Sequence, residues 1–196
     1  MTLLLPNLDW LADTTETDES WPGPGPKLRH LQTWMDQLLK TDHRQLVLVT
    51  WCAATIAVQH WKNWVTESPE FATDSLCDSS PPDEQLAAVE QWMTAPTKDR
   101  SDNAIRMVDL TKQLHWFHDE FRETWFKYPG MWAAESSEFC VLSLTGDPYS
   151  KCDRASEGAI SVSCAINSFR RSAGCDVREP LSQILSLVSQ QQERAG

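Results

Sequence analysis

The sequence predicts an all-α protein, a single-domain bundle of about seven helices around one buried central helix at about residues 42–66, with no secure β-strand. Three observations lead to this fold class. One stretch is apolar on every side of the helix that it would form, several others carry apolar residues at spacings of three and four, and clusters of Pro and Gly separate these stretches. A chain of 196 residues can bury roughly 70% of its unfolded surface, so folding needs neither a metal nor a disulfide.

The central helix is predicted from the stretch LVLVTWCAATIAVQHWKNWV at residues 46–65. Its first thirteen residues are apolar apart from Thr50 and Thr55, so neither side of the helix would be polar. Asp42 precedes the stretch as a usable helix cap. Polar residues become frequent only from Gln59 onward, which indicates where one side of the helix meets water.

Covering helices are predicted before and after this stretch. A first helix at about residues 27–40 shows one apolar stripe at three- and four-residue spacing. Pro82 opens another helix, which carries acids in its first turn and ends before Pro96. The longest polar-faced pattern follows at about residues 99–127, and a Tyr-Pro-Gly sequence at 128–130 stops it.

The second half of the chain is predicted to be helical as well. Residues 131–144 are the most ambiguous stretch, because FCVLSL would suit a strand, but no second convincing strand is present to pair with it. A helix at about residues 149–172 is rich in small side chains and is therefore expected to lie close against the central helix. Pro180 introduces a last helix, which is expected to extend to about residue 190.

The domain boundaries follow from composition. Residues 1–26 are expected to form an acidic N-terminal arm, since it ends in SWPGPGP, where three prolines and two glycines exclude a continuous helix. The helical domain would span residues 27–190, and residues 191–196 would be a polar C-terminal tail.

The charge distribution favours a basic protein as partner. A net charge of -11 argues against nonspecific binding of nucleic acid or anionic membranes, because both need clustered cations. Residues 1–26 hold five acids and residues 67–84 hold six, with no Lys or Arg in either run, so these eleven acids equal the whole net charge. Such runs can be solvated segments that keep a protein soluble, or an acidic surface that meets a basic partner. On the second interpretation the binding residues are Asp74, Asp78, Asp83 and Glu84.

Ten tryptophans are an unusual number for a chain that has two tyrosines. Bulky core packing explains most of them, and an aromatic recognition surface is the functional alternative. On that alternative, Trp10 and Trp21 in the N-terminal arm join the four acids as partner-binding residues.

Signals for catalysis are weak, and an enzyme is not indicated. His115 and His118 in HWFHDEF are three residues apart on a predicted helix and, with Asp119, could bind a divalent metal, with His60 as a further ligand. The competing interpretation is a pair of histidines at the edge of a partly wet aromatic surface. The sequence has no GxSxG, no HExxH and no phosphate-binding glycine loop. No cofactor is therefore expected apart from this possible metal.

The six cysteines form no CxxC pair, and two of them fall in apolar helical stretches where a reduced thiol packs as a small hydrophobe. The short apolar start MTLLLP lacks the basic region of a signal peptide. No apolar run reaches the roughly twenty residues of a membrane span. A cytoplasmic protein is expected.

Two stretches carry a resemblance to a known family. DHRQLVLVTWCAATIAVQHW at residues 42–61, followed after a loop by PPDEQLAAVEQWMTAPTKD at residues 81–99, resembles the opening of a family of small, all-helical proteins inferred to be bacterial immunity proteins. Members of this family are inferred to neutralise toxins used in competition between bacteria. In this chain the loop is longer, and Glu84-Gln85 stands where the family commonly has Arg-Pro. The resemblance implies a toxin-binding role and identifies no site residue.

Three hypotheses of function follow. The leading one is a noncatalytic helical protein that binds another, basic protein as an immunity or regulatory factor, through acidic segments and exposed aromatics. The second is a metal- or ligand-binding helical-bundle enzyme centred on His115 and His118. The third is a structural homo-oligomer whose interface is made by the surplus tryptophans.

Overall fold

The computed structural model describes residues 6, 26–67, 81–108, 128–146, 152–173 and 178–195. Of these residues 93% are helical and none is in a strand, so the all-α prediction is confirmed. The described helices are α1 (Pro26–Thr41), α2 (His43–Glu67), α3 (Pro81–Thr94), α4 (residues 98–108), α5 (Pro129–Thr145), α6 (Arg154–Ala173) and α7 (Arg178–Ala195).

Helix α2 is the central element, as predicted. It packs against α1, α3, α5, α6 and α7, and its most extensive contact is with α5. Burial on several sides explains why it lacks a polar face along most of its length. Asp42 caps its start, because the Asp42 carboxylate accepts a 2.9 Å hydrogen bond from the backbone N–H of Arg44.

Helices α5 and α6 form an antiparallel pair that covers α2. Ser136 Oγ donates a 2.9 Å hydrogen bond to the backbone oxygen of Ser161, and Ser161 Oγ donates a 2.8 Å bond to the backbone oxygen of Ser136. Both serines are fully buried, so the exchange of hydrogen bonds satisfies two hydroxyls inside the bundle. Serine is small enough to let the two backbones approach this closely.

The small residues of α6 also allow it to contact α2, which confirms the predicted neighbour of the central helix. A Cβ added at Gly158 would lie 3.3 Å from Thr50 Cγ2 and 3.4 Å from both Leu46 Cδ2 and Met35 Sδ. Helices α1 and α2 therefore both approach α6 at this glycine.

Residues 131–144, the ambiguous stretch, lie within α5. This helix is buried along nearly its whole length, between α2, α3 and α6. A helix that is buried on all sides needs no polar face, so its sequence can be as continuously apolar as that of a buried strand. This explains why the stretch is ambiguous in the sequence although it forms a helix.

The boundaries of two helices differ from the expected ones. Helix α6 begins at Arg154 and not near residue 149, because Asp153 caps it by accepting a 2.8 Å hydrogen bond from the backbone N–H of Ser156. Helix α7 continues to Ala195, through most of the segment expected to be a polar tail. Gln, Glu, Arg and Ala favour helix, and no proline or glycine lies between Pro180 and Gly196 to stop it.

Candidate functional site

Four helices meet at one end of the bundle, which we call the aromatic end. It consists of the last turns of α2 and α6 and the first turns of α3 and α5. Lys62 Nζ of α2 lies 2.9 Å from Asp83 Oδ1 of α3. His60 Nδ1 of α2 lies 2.8 Å from Ser168 Oγ of α6, and that hydroxyl donates a 2.8 Å hydrogen bond to the backbone oxygen of Pro129 in α5.

The hydrogen bonds of Ser168 determine the tautomer of His60. A hydroxyl has one proton, and the backbone oxygen of Pro129 can only accept, so Ser168 donates to Pro129. His60 must then donate to Ser168 Oγ, which places the proton of the neutral imidazole on Nδ1. The ring also lies against Phe169, with centroids 4.5 Å apart. Burial lowers the pKa of His60, and a hydrogen bond with the backbone of Ser168 opposes this shift.

This arrangement joins three helices and does not activate a nucleophile. Ser168 is fully buried, and its proton is engaged by a backbone carbonyl rather than by the histidine. A serine nucleophile would instead be reachable by substrate and would donate its proton to the base. The His60 to Ser168 contact is therefore a structural link between α2, α5 and α6.

A row of aromatic rings leads from the core to the surface at the aromatic end. The ring centroids of Trp61 and Trp64 are 5.5 Å apart, and those of Trp64 and Tyr128 are 5.8 Å apart. Trp61 is fully buried, whereas Tyr128 is 41% exposed, the one large hydrophobic side chain that is exposed in the described part of the chain. Close packing requires Gly130, because a Cβ there would lie 2.5 Å from Trp64 Cβ.

Tyr128 is not among the residues that the sequence predicts to bind a partner. It precedes α5 in an extended conformation, with φ of -98° and ψ of 122°, and its side chain makes no capping hydrogen bond. Ser, Thr, Asp and Asn are the residues that favour this position. The signal in the sequence is a tyrosine directly before a Pro-Gly pair, a pattern that indicates the stop of the preceding helix as readily as the start of the next one.

The structure describes two of the four acids that the sequence predicts to bind a partner. Asp83 and Glu84 are exposed in the first turn of α3, where negative charge suits the helix dipole. The Asp83 side chain is 47% exposed and forms an ion pair with Lys62, so part of its charge is already balanced. Asp74 and Asp78 lie outside the described residues. The chain positions on either side of that gap, Glu67 and Pro81, both belong to the aromatic end.

The tryptophans that the structure describes belong to the core. Four of them are buried, namely Trp34, Trp61, Trp92 and Trp132. The other two, Trp51 and Trp64, are half-buried and pack against the core. Trp51 Nε1 donates a 3.1 Å hydrogen bond to the backbone oxygen of Leu86, which satisfies the indole as it packs. Trp10 and Trp21 lie outside the described residues. Of the predicted N-terminal arm, Pro6 is described, and it is buried.

The predicted metal ligands His115, His118 and Asp119 also lie outside the described residues, so that hypothesis stays a prediction for elemental analysis of the purified protein. Within the described ranges, no group of three or more His, Cys, Asp or Glu side chains could hold a metal ion. The buried thiols there are poor nucleophiles, because burial raises the pKa of Cys140 to about 12 and raises those of Cys52 and Cys164 well above their ordinary value.

Comparisons with protein-family models, with curated proteins and with solved structures give no significant match to this chain. The resemblance to immunity proteins therefore stays a prediction. Among the helices that the structure describes, none combines the length and apolar character that a membrane span requires.

Proposed function

We propose that the chain is a noncatalytic helical protein that binds a basic partner protein at its aromatic end, as an immunity or regulatory factor of the bacterial cytoplasm. The observation that supports this proposal most directly is the position of the acids. Glu67 ends α2, and Asp83 and Glu84 begin α3, so both edges of the acidic run at residues 67–84 lie at the same end of the bundle.

Acids at this end would act on a partner in two ways. They would attract a basic surface over a distance of about one Debye length, roughly 8 to 10 Å at moderate salt, and so speed association. They would also orient the partner toward this end rather than toward the sides of the bundle. Tyr128, exposed at the same end, would supply apolar contact area once the partner has docked.

The experiment begins with capture of partners on the immobilised full chain from extracts of the cells that encode it. The captured protein is then purified and titrated against the wild-type chain and against a variant with Asp74→Asn, Asp78→Asn, Asp83→Asn and Glu84→Gln. We expect a basic protein that binds saturably, with affinity that falls as salt is added. The variant should bind it about tenfold more weakly, with a flatter salt dependence.

A matched control removes four acids elsewhere. These are exposed in the described structure and lie away from the aromatic end, in α3, in α4, at the start of α6 and in α7: Glu90, Asp99, Asp153 and Glu193. Conversion of these acids to their amides changes the net charge by the same amount as the test variant. The proposal predicts little loss of affinity in the control. Unchanged binding by the test variant, an equal loss in the control, or the absence of any basic partner would contradict it.

A further inference from the structure

We infer that Trp61, Trp64 and Tyr128 form an electron-transfer row, which carries an oxidising equivalent from the core of the bundle to its surface. The co-reactants are a one-electron oxidant, which takes an electron from a tryptophan, and a thiol, which restores the tyrosine at the surface. This activity goes beyond partner binding and requires no partner. It follows from the distances between the three rings, from their burial and from the chemistry of their radicals.

The three rings are in contact from the inside of the bundle outward. Trp61 and Trp64 are three residues apart on α2 and are therefore neighbours on its surface. Their ring centroids are 5.5 Å apart with planes inclined at 36°, and the centroids of Trp64 and Tyr128 are 5.8 Å apart with planes inclined at 48°. These are the separations of aromatic pairs in contact. An electron can therefore pass along the row in two short steps.

The second of these contacts joins two helices, and close packing of the backbone holds it. Tyr128 precedes α5, whereas Trp64 belongs to the last turn of α2. Gly130 lets α5 approach α2 here, because a Cβ at that position would lie 2.5 Å from Trp64 Cβ. Pro129 also restricts the backbone of Tyr128. The distance between the two rings is thus fixed by the fold.

Burial gives the row its direction. Trp61 is fully buried, Trp64 is half-buried, and Tyr128 is 41% exposed. Removal of an electron leaves a positive charge on an indole, and a charge is costly in apolar surroundings. The charge is therefore least stable on Trp61 and is better solvated at each step toward the surface.

The proton of Tyr128 makes the last step favourable. A neutral phenol keeps its proton up to a pH of about 10, whereas an oxidised phenol is a strong acid and releases the proton to water. Tyr128 thus gives an electron to Trp64 and a proton to water, which leaves a neutral tyrosyl radical. Both indoles regain their electrons and keep their N–H protons. A thiol then donates a hydrogen atom to the tyrosyl oxygen and leaves as a thiyl radical.

The test is pulse radiolysis of the full chain with azide radicals, which react with tryptophan faster than with tyrosine. We expect the absorption of the tryptophan radical to decay while that of the tyrosyl radical grows, at a rate that does not depend on protein concentration. The chain has two tyrosines, so a matched pair of variants identifies the electron donor. Tyr128→Phe keeps the ring and should lose most of the tyrosyl signal, whereas Tyr149→Phe should retain it.

A second pair of variants tests the middle of the row. Trp64→Phe replaces the indole by a ring that resists oxidation, so growth of the tyrosyl signal should become several-fold slower. Trp51→Phe is the control, because Trp51 is also half-buried but lies on α2 about 15 Å before Trp61. Its indole bonds to the backbone oxygen of Leu86 in α3 and not to the row. Circular dichroism and the thermal midpoint show whether each variant is folded.

Oxidation products provide a readout that does not depend on radical spectra. Under steady one-electron oxidation with excess thiol, Tyr128→Phe should accumulate more oxidised Trp61 and Trp64 than the wild type, as measured by peptide mass spectrometry. No tyrosyl growth in the wild type, an equal signal in Tyr128→Phe, equal slowing by Trp51→Phe, or a rate that rises with protein concentration would each overturn the inference. None of these outcomes involves a partner, so the proposed function is tested separately.

Discussion

The two ends of the bundle differ in how their helices terminate. At the end opposite the aromatic end, which we call the arginine-capped end, arginines cover the last carbonyl groups of two helices. Arg44 donates a 2.8 Å hydrogen bond to the backbone oxygen of Met93, and Arg100 donates to that of Gln91, both in α3. Arg154 donates a 3.4 Å bond to the backbone oxygen of Thr145 in α5. Cations at these positions suit the helix dipole.

The aromatic end follows these rules less closely. Arginines occupy the last turn of α6, but α2 ends in Glu67 with no basic residue in its last turn, and α5 starts after a tyrosine that does not cap it. The difference indicates that the arginine-capped end is arranged for stability, whereas the aromatic end keeps features that helix stability alone does not explain. Four changes test this contrast, and they are ordered by the size of the expected effect.

The largest effect is expected for Gly130→Ala at the aromatic end. The new methyl group would lie 2.5 Å from Trp64 Cβ and 3.2 Å from the backbone oxygen of His60, so α5 would have to move away from α2. We expect a loss of about 2 to 3 kcal/mol in the free energy of unfolding, measured by urea denaturation.

Gly158→Ala, nearer the arginine-capped end, is the matched comparison. Its nearest neighbours would be 3.3 to 3.4 Å away and include the sulfur of Met35, which can shift. The higher helix propensity of alanine, worth about 1 kcal/mol, should offset that strain. If both alanine variants lose the same free energy of unfolding, the contact of Gly130 with Trp64 tolerates a methyl group no worse than the contacts of Gly158 do, and the contrast between the two glycines would be wrong.

The second effect concerns a buried pair of hydroxyls between α2 and α5. Thr50 Oγ1 and Ser143 Oγ lie 3.0 Å apart, and Ser143 Oγ donates a 2.7 Å hydrogen bond to the backbone oxygen of Cys140. Thr50→Val should cost about 1 kcal/mol, because it removes the hydroxyl that contacts Ser143 and that also lies 3.0 Å from the backbone oxygen of Val47. The double variant with Ser143→Ala should cost less than the sum of the two single changes, and additive losses would contradict the coupling.

Much of this scaffold could be predicted from the sequence, whereas the site could be predicted only in part. The apolar run of α2 and the Asp42 cap are local signals, and both are confirmed. The small residues of α6 also identified its neighbour correctly. The link between His60 and Ser168 joins positions 108 residues apart, and no local pattern encodes that pairing.

Tyr128 shows the same limit at the surface. Local preference predicts that the Tyr-Pro-Gly sequence ends one helix, and the structure shows that it also begins α5, where Gly130 packs closely on Trp64. The exposure of the ring depends on that packing, because Trp64 supports one side of it. The acids of α3 could be predicted, but their ion pair with Lys62 depends on how α2 and α3 align.

The third effect compares one histidine at each end as the pH falls. Burial lowers the pKa of both His43 and His60. For His43, a hydrogen bond with the Ser143 backbone opposes the shift, Arg154 adds to it, and Asp42 opposes it. For His60, a hydrogen bond with the Ser168 backbone opposes the shift. Below the unfolded pKa of about 6.5, the unfolded chain takes up protons that the folded chain does not. The free energy of unfolding should therefore be highest above this pH and should decrease on acidification toward the folded pKa values.

Thermal midpoints measured across this pH range for His43→Gln and His60→Gln should show which end contributes more. Each variant should have a weaker dependence on pH than the wild type, because it removes one titrating group. A wild-type midpoint that rises on acidification would contradict the expected direction. An unchanged dependence in both variants would assign the effect to other groups.

The smallest effect is expected for the ion pair at the aromatic end. Lys62 and Asp83 are 46% and 47% exposed, so water and salt screen their 2.9 Å contact. Lys62→Gln should change the free energy of unfolding by less than about 0.5 kcal/mol, and added salt should remove that difference. The same change frees the Asp83 carboxylate for a partner, so binding of the captured basic partner should become tighter although stability hardly changes. Weaker binding by Lys62→Gln would mean that the lysine itself contacts the ligand, and Lys62 would then belong to the binding surface rather than balance the charge of Asp83.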